Sequence, residues 1–126
     1  MIYRLPDINS LIELHNQARK NIGFIARKTL QHDDKLFNYA DNWVKEMSRI
    51  NQLKHSNIKN ILAIGYKAAA ENISHGQRDE YEVMESWLNS YGHRKNILNK
   101  QYTHIGCSFS YSKDDSIYWC VCFGKK

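Results

Sequence analysis

The chain has 126 residues, 42% of them apolar and 25% charged, with a net charge of +5. At that length folding hides roughly two-thirds of the unfolded surface, so a core can form without metal or disulfide staples. One domain over residues 1–126 is expected, with its core at about 8–124. No Lys/Arg run exceeds two residues, which argues against nucleic acid, and no stretch approaches the ~18 apolar residues of a membrane span.

Three cysteines, Cys107, Cys120 and Cys122, are too few for a disulfide framework, and there is no CxxC. The N-terminal Met1-Ile2-Tyr3-Arg4-Leu5-Pro6-Asp7 lacks the apolar run and small residues of a secretory signal. The compartment stays open: the chain is retained inside, has had a leader removed, or is exported without one.

Asp7 or Ser10 can cap a first helix whose buried stripe is Ile8, Leu11, Ile12, His15, Ala18 and Ile22, with Gly23 as its C-terminal cap. His15 on that stripe reads as a hydrogen-bonded, half-buried histidine rather than a ligand. A polar loop over 24–32 follows. Asp33 or Asp34 then caps the longest helix, about 34–54, with Leu36, Ala40, Trp43, Met47 and Ile50 on one face and Phe37 and Val44 widening it. Residues 58–69 read as a short helix or turn. Ala69-Ala70-Glu71-Asn72-Ile73 has the look of a buried strand, and a glutamate inside it needs a partner, because an unpaired buried carboxylate is costly.

Asp79 caps a helix over about 80–90, with Val83, Met84, Trp87, Leu88 and Tyr91 on one face and Ser90 at its border. Gly92 is expected to break it, and His93–Leu98 to form one tight helical turn. Ile105, Cys107, Phe109 and Tyr111 alternate with small residues as a strand does, and Ile117–Phe123 supplies an aromatic second strand. A two-residue turn at Asp114-Asp115 would make these a hairpin with Cys107 facing Cys122 and Cys120 facing Phe109.

In order along the chain stand His15-Asn16 with Arg19, the Leu36/Ala40/Trp43/Met47 helix, His55-Ser56, Glu71-Asn72-Ile73, Trp87-Leu88-Asn89-Ser90, Gly92-His93-Arg94-Lys95-Asn96-Ile97-Leu98, Thr103-His104-Ile105-Gly106 and Tyr118-Trp119. This series resembles the CAP superfamily of cysteine-rich secretory, antigen 5 and pathogenesis-related 1 proteins, and its compact bacterial members most. The resemblance runs from about Leu11 to Gly124. It implies an α+β fold, an α–β–α sandwich with a small antiparallel sheet between helices. It also implies a groove of two histidines and two acids, occupied in some members by a divalent metal. His55 matches the first histidine, Glu71 the first acid and His93 the second histidine. The second acid falls at Ser90, so this chain departs from the fuller pattern, and Glu85 lies on the wrong side of Trp87 to replace it.

Three functions follow from that reading. The first is a binding module whose groove, His55, Glu71, Ser90 and His93, takes a small-molecule or lipid ligand, a protein partner, or a Zn²⁺ ion held by His55 and His93. The second is a metal-assisted hydrolase with Glu71 as base and His93 as partner. No G-x-S-x-G nucleophile motif supports the second, and the absent acid weakens it. The third is a structural or interaction domain in which the three side chains only hydrogen-bond one another. A monomer is expected, and the family, unlike this N-terminus, is mostly secreted.

Overall fold

The computed structural model describes residues 5–22 and 26–126. Helix α1, Ile8–Lys20, starts where the Asp7 carboxylate accepts the Asn9 N–H at 2.9 Å and buries Leu11, His15 and Arg19 at four-residue steps. It ends on an Asn21 cap, so Ile22 lies beyond the helix. The expected Gly23 cap lies outside the described residues.

Strand β1 is only Gln31–His32, in the segment read as loop; two exposed residues carry no periodicity to read. Helix α2, Asp34–Ile50, begins with Asp33 accepting the Lys35 N–H at 2.8 Å. It stops four residues before the expected end. Asn51 takes the left-handed conformation, φ 55°, and its N–H closes on the Met47 carbonyl, a C-terminal cap that asparagine tolerates. Helix α3 is Lys59–Ile64, closed by Gly65 at φ 126°.

Strand β2, Ala68–His75, leads to α4, Glu80–Leu88, where the Asp79 carboxylate accepts the Glu82 N–H at 2.8 Å. The break between α4 and α5, Tyr91–Leu98, is not at Gly92. It falls at Asn89-Ser90, where Ser90 turns extended, and Gly92 sits inside the first turn of α5. Tyr91 is consequently carried off the apolar face and is 83% exposed.

Strands β3, His104–Tyr111, and β4, Ile117–Lys125, form the hairpin, and the sheet order is β1-β3-β4-β2. The three long strands are antiparallel, and β1 adds to β3 in parallel. The hairpin register differs from the expected one by a residue. Asp115 N–H bonds the Ser112 carbonyl at 3.0 Å, Ser112 N–H bonds that of Ser116 at 2.9 Å, and Asp115 is left-handed at φ 64°. The loop is therefore Lys113-Asp114-Asp115, a turn followed by a left-handed residue. Cys107 now faces Val121, Ser108 faces Cys120 and Gly106 faces Cys122. A one-residue slip sends every side chain to the other face, so Cys107 lies in a different layer from Cys120 and Cys122.

Strand β4 is buried on both faces and divides the core. Ile117, Trp119, Val121 and Phe123 pack with Leu11, Val83, Met84, Trp87 and Ile97 of α1, α4 and α5. Tyr118, Cys120 and Cys122 pack with Leu36, Ala40, Val44, Met47 and Ile61 of α2 and α3. Helices thus cover both faces of a small sheet, an α–β–α sandwich. Strand β2 lies at one edge, between the two helical layers, with Glu71 and Asn72 in its centre.

Candidate functional site

Alternation along β2 sends Glu71 to the face of α2 and Asn72 to the face of α5. The Glu71 side chain is 1% exposed and needs donors. The α2–α3 loop supplies three. His55 Nδ1 and Ser56 N–H each reach Glu71 Oε1 at 2.9 Å, and Ser56 Oγ–H reaches Oε2 at 2.5 Å. The Tyr39 hydroxyl donates in turn to Ser56 Oγ at 2.8 Å. Because an ionised carboxylate only accepts, the proton of neutral His55 sits on Nδ1, and its Nε2 presents a bare lone pair.

On the other side of β2, Asn72 Nδ2 donates to the His93 carbonyl at 3.1 Å, and Asn96 Nδ2 to Asn72 Oδ1 at 2.9 Å. These bonds tie α5 to the strand. The far end of α5 is gripped by Arg19, whose Nη1 donates to the carbonyls of Ile97 at 2.8 Å and Asn99 at 2.9 Å. The buried guanidinium satisfies carbonyls that the helix leaves open.

His93 is therefore on the first turn of a fixed helix. Its Nδ1 lies 2.9 Å from Ser90 Oγ. Partial burial holds its pKa below the ordinary histidine range, and the charge of nearby His55 pushes the same way. The hydroxyl of Ser90 both donates and accepts, so it steadies the ring without fixing its tautomer, as a second carboxylate would.

The four expected groove residues thus close as two hydrogen-bonded pairs, His55–Glu71 and Ser90–His93, flanking the edge of β2. Among the described residues, the group of three metal-ligating side chains whose atoms all lie within 4.8 Å of one another is instead Glu71, Cys120 and Cys122. Glu85 is exposed and stands outside this arrangement. His15 is fully buried rather than half-buried, with Nδ1 on the Leu11 carbonyl at 2.8 Å. Sequence reasoning missed Tyr39, Ser56 as a double donor, and Asn72. Only the pairing of a hydroxyl with a histidine at His55-Ser56 hinted at any of them.

A model of the cysteine-rich secretory protein family, CAP, matches residues 12–123. The chain belongs to the CAP family. YkwD of Bacillus subtilis is 37% identical over 107 residues, which are 79% of this chain and 40% of YkwD. The chain therefore spans less than half of that relative. Among solved structures, the CAP fold here superposes on an outer surface protein of Borrelia burgdorferi with TM-score 0.84 at 20% identity, covering 99% of each chain. An extracellular SCP-domain protein of Bacillus anthracis gives TM-score 0.81 at 27% identity, covering 94% of this chain and 40% of that one. NaASP2, solved with Zn²⁺, gives 0.71 at 17% identity, covering 98% and 88%. The CAP sandwich is common to all of these. Cys107, Cys120 and Cys122 are all free and buried here.

Proposed function

We propose that this CAP domain is a binding module whose groove accepts a divalent metal ion through His55 and His93. One observation carries the reading: each imidazole is pinned through Nδ1, by Glu71 and by Ser90, and among the described residues neither Nε2 has a partner. Metal-ligating histidines are oriented in this way, by a carboxylate, a backbone carbonyl or water on the far ring nitrogen; Glu71 matches that pattern, and the Ser90 hydroxyl occupies the same position at His93. The residues present fit a borderline ion such as Zn²⁺ with open positions for water or a ligand. Glu71 orients His55 in this arrangement and is not itself a required ligand. That NaASP2 was solved with Zn²⁺ is in keeping with such a groove on this fold.

Binding is favoured over hydrolysis on two grounds. Glu71 already accepts three hydrogen bonds, from His55, the Ser56 N–H and the Ser56 hydroxyl, which weakens it as a base toward water. Ser90 stands where a second acid would be. Calorimetry with Zn²⁺ is the test: His55→Ala and His93→Ala should each weaken binding at least about tenfold. Wild-type affinity in both variants rejects the reading. Turnover of a peptide or ester that Glu71→Gln abolishes would establish the hydrolase instead.

A further inference from the structure

Beneath the groove, the Cys120-Val121-Cys122 alternation of β4 points both thiols at the α2 layer. The ladder pairs Glu71 with Cys122 and Ile73 with Cys120. Three polarizable or charged groups are thus set side by side by backbone pairing. The two Sγ atoms are 3.9 Å apart, and a Glu71 carboxylate oxygen lies within 4.8 Å of each. Two Zn–S bonds of about 2.3 Å at a tetrahedral angle put their sulfurs about 3.8 Å apart.

We propose that Cys120, Cys122 and Glu71 form a buried site for a thiophilic divalent ion, zinc or cadmium, which shares Glu71 with the histidine groove but takes its sulfur ligands from β4. Uptake exchanges the two thiol protons for the ion: two S–H bonds break, two metal–sulfur bonds form, and two protons leave to solvent. No oxidant enters. A disulfide is a poorer fit for the same pair. Residues two apart on one strand have Cα atoms about 6.6 Å apart, near the upper limit for a disulfide. The ion also offers what the apolar layer lacks, a counter-charge for thiolates. Without it, burial raises the Cys120 thiol well above its ordinary range, the neighbouring sulfur and the carboxylate adding to the effect.

Cys107 faces the opposite layer and serves as an internal control. Titrating the reduced wild-type chain with Cd²⁺ should produce an ultraviolet thiolate-to-cadmium charge-transfer band that saturates at one ion per chain, with release of about two protons. Cys107→Ser should keep the band, and Cys122→Ser should lose it. Calorimetric Zn²⁺ binding assigned to His55 and His93 should persist in Cys122→Ser, which separates failure of this site from failure of the groove. Should Cys122→Ser not fold, Cys107→Ser alone decides, since its only thiols are Cys120 and Cys122. No band in folded wild type, loss of the band in Cys107→Ser, or its survival in folded Cys122→Ser overturns the proposal and leaves the pair as core packing.

Discussion

His15 lies fully buried with its ring centroid 6.1 Å from that of Trp87 and 5.7 Å from that of Phe123. Its Nδ1–H is spent on the Leu11 carbonyl, and its Nε2 has no partner among the described residues. Burial, with a smaller push from the positive charge of Arg19, lowers its pKa to about 4. The unfolded chain therefore takes up this proton near pH 6.5 while the fold refuses it. The His15 contribution is intact above that pH and is lost as pH falls toward 4, by about 2 kcal/mol between pH 7 and pH 5. Denaturant midpoints at the two pH values should converge in His15→Leu; an unchanged pH slope would show that other groups carry it. Trp87 is the second residue to test. It is 1% exposed, and its Nε1–H donates to the Ile73 carbonyl at 3.1 Å. Trp87→Ala should cost about 3–5 kcal/mol, and unaltered thermal stability would contradict its place between α4 and the sheet.

At the scale of elements, α2 approaches β3 closely. A Cβ added at Gly106 would lie 2.2 Å from the Phe37 amide nitrogen. Backbone is there on both sides, so neither side chain nor rotamer can give way. Gly106→Ala should destabilise by about 1–3 kcal/mol, read as a lower melting temperature with α2 helicity retained at low temperature; full wild-type stability would mean that α2 sits farther from the sheet. The hairpin makes a second case. Because Cys107 and Cys122 occupy opposite layers, air oxidation of the folded chain should give no Cys107–Cys122 peptide in non-reducing mapping. Recovery of that peptide would restore the two-residue turn. That turn misled because Asp114-Asp115 fits two loop lengths equally well, and the choice lies in the left-handed conformation of Asp115, which composition does not reveal. Helix starts were legible, since Asp7, Asp33 and Asp79 each cap one through a side-chain oxygen. Helix ends were less so, since Asn51 and Ser90 terminate by backbone conformation rather than by a glycine.

Across the whole molecule, the family and its sandwich could be read from the order of short motifs, whereas strand β1 and the parallel edge could not. His55, Glu71 and His93 could be singled out from those motifs too. What was not legible is that the site divides across the edge of β2, because the division depends on which face each of Glu71 and Asn72 takes. Among the described residues no helix is long and apolar enough to cross a membrane. The central claim concerns two nitrogens, Nε2 of His55 and of His93. Imidazole ¹⁵N chemical shifts, followed as Zn²⁺ is added at neutral pH, report on them directly. The account predicts that in Cys122→Ser, which leaves the groove as the zinc site, both Nε2 resonances move to metal-bound positions at one equivalent with the proton of each ring on Nδ1, and that His15, His32, His75 and His104 do not respond. Zn²⁺ shifts confined to other histidines, or no change at His55 and His93, would contradict it.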